Sequence, residues 1–88
     1  MASYELRVVP SAERTLSVLP ESVAAAVVEF MTGALVTDPH RVGKPLLREL
    51  EGYRSARRGP YRVLYRIDEG HMIVEVFRVD HRADVYRR

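Results

Sequence analysis

Four arginines lie within twelve residues, in the segment RRGPYRVLYRID at positions 57–68. Apolar and charged side chains alternate through positions 61–68, which is typical of a β-strand whose two faces differ. Guanidinium groups bind phosphate oxygens through a bidentate fork. Two of them on adjacent strands repel one another unless an anion lies between them. The segment therefore indicates a site for a phosphodiester, provided that its arginines share one open face.

Side chains alternate between the two faces of a strand, so the segment 60–68 carries two sets. The set expected to pack on the core is Tyr61, Val63, Tyr65 and Ile67. The set expected to face away is Arg62, Leu64 and Arg66. The preceding strand places Ser55 and Arg57 on one face and Arg54, Ala56 and Arg58 on the other. Alternation alone leaves open which of these sets lies beside Arg62, and Arg62 could instead pair with Glu75 or Asp68.

The C-terminal segment VDHRADVYRR adds a histidine, an arginine and a tyrosine directly after the last expected strand. His81 could transfer a proton near neutral pH, and Tyr86 could stack on a base. With Arg82 and the strand arginines, these residue types could cleave RNA by attack of a ribose 2′-hydroxyl on the adjacent phosphate. That chemistry needs no metal or other cofactor, and the three histidines show no metal-ligand spacing.

The N-terminal half of the sequence predicts one strand and two helices. The alternating segment 4–9 predicts the strand, ended by Pro10. A short helix is expected over 12–18, with Ser11 as its N-cap. Pro20 suits the first position of a second helix, whose apolar positions include Val23, Val27 and Met31 and which should end near Thr37.

The second half predicts a long loop and three strands. The loop spans 38–52, with Leu46, Leu47 and Leu50 tucked against the body. The strands are 53–58, 60–68 and 71–79, and a two-residue turn at 69–70 joins the last two. We therefore expect a single domain over residues 1–88 of the α+β class. Its order is β-α-α-β-β-β, with two helices packed on one face of a mainly antiparallel sheet.

Charge is unevenly distributed along the 88 residues, although the net charge is only +2. Residues 40–66 hold eight basic and two acidic side chains, whereas both flanking segments have an acidic excess. Such a patch would attract polyanions, and the alternative is an ordinary solvated basic face. The chain has no cysteine, which fits the reducing cytoplasm. No signal-peptide pattern or membrane span is visible.

The segment LEGYRSARRGPYRVLYRID, followed by a strand and VDHRADVY, resembles the RelE/ParE superfamily of type II toxins, most closely its RelE branch. SAERTLSVLP resembles the start of those proteins, so the likeness spans the chain. The resemblance implies a RelE-like fold and a cytoplasmic endoribonuclease, a hydrolase that cleaves mRNA in the ribosomal A site and inhibits translation. It implies a cognate RelB- or Phd-like antitoxin as partner, besides the ribosome and mRNA. Operator DNA would be bound only through the antitoxin complex.

The resemblance also assigns roles to individual residues. Arg62 matches the arginine that stabilises charge on the cleaved phosphate, and Arg57 matches a basic residue that helps to activate the 2′-hydroxyl. The remaining catalytic matches are His81, a possible acid or base; Arg82, a phosphate or leaving-group contact; and Tyr86, which orients the substrate. Lys44, Ser55 and Arg66 are the expected substrate-binding residues. A lysine in the best-studied relative is replaced by Ser55, and the glutamate base of some relatives is replaced by Leu46 and Leu47.

Two other functions fit the same resemblance. A ParE-like chain would inhibit DNA gyrase without cleaving RNA, because a shared fold does not determine function. A catalytically silent RelE-like chain would only bind its antitoxin. The combination of His81, Arg82 and Tyr86 favours the nuclease, whereas the missing glutamate leaves room for the silent protein.

Overall fold

The computed structural model describes residues 3–81 of the chain. A five-stranded sheet carries two helices in the chain order β-α-α-β-β-β-β. The elements are β1 (Glu5–Val8), α1 (Pro10–Val18), α2 (Glu21–Phe30), β2 (Lys44–Pro45), β3 (Arg54–Arg58), β4 (Tyr61–Asp68) and β5 (Ile73–His81). The strands lie side by side in the order β1-β5-β4-β3-β2. Only β1 and β5 run parallel, and the other three pairings are antiparallel, so the predicted α+β class is confirmed.

The two helices begin at prolines in different ways. Pro10 is the first residue of α1, where its missing N–H needs no partner. Val9 is the N-cap and makes no side-chain cap bond, so the prediction of Ser11 as N-cap was wrong by two positions. Pro20 is the N-cap of α2, one residue before the predicted position, and its carbonyl accepts from the Ala24 amide at 2.9 Å.

The helical backbone after α2 widens into a π-helical turn, Met31–Leu35, and continues to residue 37 as predicted. Val27, Met31 and Leu35 are fully or almost fully buried at successive four-residue intervals. An α-helix drifts sideways over such a spacing, and the wider turn offsets that drift. The turn therefore keeps one apolar row against the sheet.

The core lies between the helices and the inner face of the sheet. Tyr61 and Tyr65 are buried there, as predicted, with their hydroxyls satisfied by backbone carbonyls. Tyr61 donates to the Ala26 carbonyl at 3.2 Å, and Tyr65 donates to the Pro39 carbonyl at 2.6 Å. These bonds tie β4 to α2 and to the start of the following loop.

The predicted loop 38–52 contains β2, which pattern reading missed because two residues are too few to show a period. It also contains the 3₁₀ turn Arg48–Leu50. The expectation that its leucines tuck inward was wrong for Leu47 and Leu50, which are 76% and 42% exposed. Backbone hydrogen bonds hold this part instead, such as the Leu46 amide to the Tyr53 carbonyl at 2.9 Å.

The connection between β4 and β5 was also predicted too short. It spans residues 69–72, and Met72 has a left-handed φ of 56°. Asp68 accepts from the amide and ring of His71, which supports a longer turn than the two-residue type. Within residues 3–81, neither helix has the length and apolar character needed to cross a membrane.

Candidate functional site

The strand register answers the question that alternation left open. Arg57 lies directly opposite Arg62 in the β3–β4 pair, and Ser55 lies opposite Leu64. The neighbouring pair of Ala56 and Val63 is buried in the core, so these four side chains lie on the other side of the sheet. We call this side, opposite the helices, the open face. Two guanidiniums therefore stand side by side on the open face, as the phosphodiester hypothesis requires.

An acidic residue on β5 lies between two of the open-face arginines. Asp80 is opposite Arg62 in the register and accepts from Arg62 Nη2 at 3.4 Å and from Arg78 Nε at 2.9 Å. Only 15% of its side chain is exposed. Arg57 makes no ion pair with any carboxylate in the described residues. Three guanidiniums and one carboxylate leave this cluster with a local charge of +2.

Arg62 has an unsatisfied donor. Its Nε is buried and has no hydrogen-bond partner in the described structure. A buried donor without an acceptor costs about 1–3 kcal/mol. Because the Nε is buried, a phosphate on the open face would meet the Nη groups of this guanidinium, one of which donates to Asp80.

Lys44 and Ser55 lie at the edge of the same face. Lys44 on β2 pairs with Ser55 on β3, and the row continues through Leu64 to Arg78. Lys44 is exposed, whereas Leu64 is buried, with 6% of its surface exposed. The row therefore adds Lys44, at the β2 edge of the sheet, to the cations of the open face.

The other arginines of the basic block serve different purposes. Arg54 donates to the carbonyls of His40 and Gly43 at 2.7 and 2.9 Å, which fixes the loop that carries β2. Arg58 lies on the helix side, 4.7 Å from the centre of the Phe30 ring. The predicted substrate residue Arg66 is exposed, and its 3.1 Å bond to Glu75 raises its pKa.

The register does not bring His81 to the arginine pair. His81 lies opposite Tyr61, whose side chain is buried on the helix side. Side chains of successive residues alternate, so His81 is on the face opposite that of Asp80 and Arg62. The two further predicted catalytic residues, Arg82 and Tyr86, lie outside the described residues.

Sequence reading missed Arg78 and Asp80 as members of the cluster. An irregularity between Leu64 and Tyr65 puts Leu64 opposite Arg78 and Tyr65 opposite Val76, so β5 has one extra residue, Phe77. Such a bulge cannot be read from alternation. The charged residues in FRVDH were the available signal, but Asp80 is eight positions after the turn whereas Arg62 is seven positions before it, so regular pairing would not have aligned them.

The cluster can bind an anion and stabilise charge, but it has few proton carriers. Guanidiniums stay protonated and do not act as bases. Asp80 is already engaged by two arginines. In residues 3–81 no group of three or more histidine, aspartate or glutamate side chains is placed to hold a metal ion.

Comparison with known proteins gives several matches over nearly the whole chain. The family model described as ParE toxin of type II toxin-antitoxin system, parDE, matches residues 6–86. Toxin RelG of Mycobacterium tuberculosis is 59% identical over 85 residues, which cover 97% of this chain and 98% of that protein. Toxin RelE of the same organism is 51% identical over 84 residues, which cover 96% and 87%.

Solved structures agree with the architecture described above. A chain in the crystal structure of the toxin-antitoxin complex RelBE2 from Mycobacterium tuberculosis has a TM-score of 0.91 and 57% identity, covering 96% of this chain and 97% of that chain. The isolated Escherichia coli RelE toxin shares the fold at a TM-score of 0.71 and 19% identity, covering 89% and 83%. From the family match and these relatives, the chain belongs to the ParE toxin family of the RelE/ParE superfamily and is a RelE-like toxin of a type II toxin-antitoxin system.

Proposed function

We propose that this toxin is a ribosome-dependent endoribonuclease that cleaves mRNA in the A site and so inhibits translation. The observation that carries the proposal is the direct cross-strand pairing of Arg57 and Arg62 on the open face. A like-charged pair at this spacing is unfavourable in the free protein and becomes favourable when an anion bridges it. An RNA backbone supplies that anion, and two Mycobacterium tuberculosis relatives are named as RelG and RelE toxins.

In the proposed reaction the ribose 2′-oxygen attacks the adjacent phosphorus, and the bond to the 5′-oxygen of the next nucleotide breaks. The products are a 2′,3′-cyclic phosphate and a 5′-hydroxyl. The 2′-hydroxyl loses a proton and the leaving oxygen gains one, while negative charge increases on the phosphate. Arg62 stabilises that charge, and Arg57 stabilises the developing 2′-oxyanion by its positive charge. Arg82 and Tyr86 contact the leaving group and orient the substrate in this proposal.

The described residues beside Arg57 and Arg62 include no evident base or acid for the proton transfers. His81 is the only histidine in β5, but it lies on the helix side of the strand. Arginines that stabilise an oxyanion reduce the need for a strong base. We therefore propose that charge stabilisation and alignment in the ribosome supply most of the rate enhancement.

The proposed partners follow from the charge of the open face and from the relatives. The structure of the RelBE2 complex contains a toxin with its antitoxin. We propose a cognate RelB- or Phd-like antitoxin for this chain, which covers the cationic face, and operator DNA binding only through that complex. The ribosome and mRNA are the targets, which places the protein in the cytoplasm without a membrane partner.

The test is cleavage of translated mRNA, mapped by primer extension after expression of Arg62→Ala or Arg57→Ala. Removal of one charge-stabilising donor should lower the cleavage rate by roughly 100-fold. Arg41→Ala is the matched control, because Arg41 is exposed and pairs with Asp38 outside the open face. If Arg62→Ala arrests translation as strongly as the unmodified protein, the proposal fails.

Inhibition of DNA gyrase is the second candidate, because the matching family model is described by the ParE name. The two functions give different early effects on cells. A nuclease stops protein synthesis while DNA stays intact, whereas a gyrase inhibitor causes DNA damage and filamentation first. Pulse labelling of protein and DNA after induction separates the two.

A further inference from the structure

The bulge in β5 places an aromatic residue on the open face. Val79 is buried in the core, and Arg78 faces outward. If the alternation were regular, Phe77 would face inward again. The extra residue in the strand is Phe77, which is half-buried and does not belong to the core. Bulges often re-aim a side chain next to a functional site. Here the bulge turns Phe77 outward while Val76 stays in the core.

A second aromatic side chain meets Phe77 on this face. Tyr53 directly precedes β3 and shares the orientation of Ser55 and Arg57. Its ring centre lies 4.4 Å from that of Phe77, with the planes inclined at 55°. Tyr53 is also half-buried, so neither residue of the pair is fully covered by the rest of the protein. We call Tyr53 and Phe77 the aromatic pair.

Cations lie on both sides of the aromatic pair along the open face. Arg66, which pairs with Glu75 at 3.1 Å, is on the side towards the β4–β5 turn, and the cluster of Arg57, Arg62 and Arg78 with its excess positive charge is on the other. Tyr53 is four positions before Arg57, which corresponds to about 13 Å along an extended chain. A single strand whose phosphate lies at Arg57 and Arg62 would therefore reach the aromatic pair within a few nucleotides.

From this arrangement we infer that the aromatic pair is a nucleobase-binding site, which holds an unpaired base of the RNA at a short distance from the phosphate bound by Arg57 and Arg62. Cationic grooves with interspersed aromatic rings bind single-stranded nucleic acid in this way, through backbone charge and base stacking. The inference rests on the proposed nuclease function and adds a contact that discriminates RNA with bases from a bare polyanion. The net positive charge beside the pair favours RNA over an apolar peptide as its occupant.

The test compares two fluorescein-labelled probes of equal length, a single-stranded oligoadenylate and an abasic ribose-phosphate oligomer. The unmodified toxin should bind the oligoadenylate more tightly. Phe77→Leu and Tyr53→Leu keep apolar volume but remove a ring, so each should reduce that preference by roughly tenfold with an unchanged salt dependence. Arg62→Ala should weaken binding of both probes. Tyr4→Leu is the matched control, since Tyr4 is an aromatic residue beside His40, outside the open face.

If the preference for bases persists in both ring-deletion variants, or if the unmodified toxin has none, the inference is overturned and a peptide side chain becomes the expected occupant of the pair. Circular dichroism melting of each variant separates loss of binding from loss of fold. Cleavage mapping distinguishes this outcome from failure of the proposed function. Loss of base preference in Phe77→Leu together with undiminished arrest by Arg62→Ala would leave the base site standing and remove the nuclease.

Discussion

Asp80→Asn should separate the stability of the toxin from its affinity for RNA, because one carboxylate holds two open-face arginines. The variant removes the charge that accepts from Arg62 at 3.4 Å and from Arg78 at 2.9 Å. Both arginine side chains are more than a third exposed, so solvent weakens each pair. Exposed pairs contribute about 0.2–1 kcal/mol each, and we therefore expect a loss of about 1 kcal/mol in unfolding free energy. For a domain of this size that lowers Tm by about 4–8 °C.

The same change should tighten RNA binding. Without the carboxylate, one more positive charge on the open face is available to a phosphate. For single strands each neutralised phosphate changes the salt slope by about 0.7, which corresponds to roughly fivefold tighter binding at 0.1 M salt. Fluorescence anisotropy with a labelled RNA oligomer over a salt series measures this slope, and thermal melting measures stability.

Glu5→Gln is the matched control for the change in net charge. Glu5 pairs with Arg7 at 3.5 Å, and its register partner Ile73 lies seven residues from Asp80 along β5, about 23 Å away. We expect the control to alter neither the melting temperature nor the salt slope measurably. If Asp80→Asn weakens RNA binding instead, Asp80 orients Arg62 for the phosphate and the counter-ion reasoning is refuted.

Three further predictions concern the fold that supports the open face. Tyr65→Phe removes a buried hydrogen bond and leaves a carbonyl unpaired, so urea unfolding should show a loss of about 1–3 kcal/mol. Gly43→Ala should loosen the β2–β3 pair, because its Cβ would clash with the buried Tyr65 hydroxyl and lie 2.9 Å from the Ser55 carbonyl. Amide hydrogen exchange measures this loosening, and Gly33→Ala, whose Cβ would meet nothing within 4 Å, should not cause it. The histidine beside Asp68 lowers the pKa of that carboxyl from its usual 3.8, so its stabilising effect is present above that value and is lost as the pH falls below it. Acid titration of Tm should show a smaller dependence in Asp68→Asn.

Sequence reasoning predicted the elements with clear periods and missed those set by tertiary contacts. The alternation of β4 correctly separated buried Tyr61 and Tyr65 from Arg62, because one face of that strand packs on the helices. It could not assign the register of β3, because Ser55 and Arg57 carry no apolar signal that distinguishes inside from outside. Only the pairing with β4 decided that question.

The sequence predicted that the candidate site is rich in arginine, but not which arginines belong to it or which other residues lie beside them. The density of arginine identified the open face, yet the same density also included Arg54 and Arg58, which fix a loop and cover a core ring. Their chemistry is identical to that of Arg62, so composition cannot separate the two groups. The bulge that exposes Phe77 and aligns Asp80 with Arg62 is a one-residue change of register, and nothing local in the sequence requires it.

The position of β5 constrains when the toxin can become active. β5 lies between β1 and β4, so the first strand made by the ribosome has its only described partner in the last. β1 pairs with β5 and α1 packs against it, so neither has this partner until residues 73–81 have been synthesised. Pairing between segments so far apart in the sequence is slow. Assembly of the complete sheet, and with it the open face, is therefore a late event in biosynthesis.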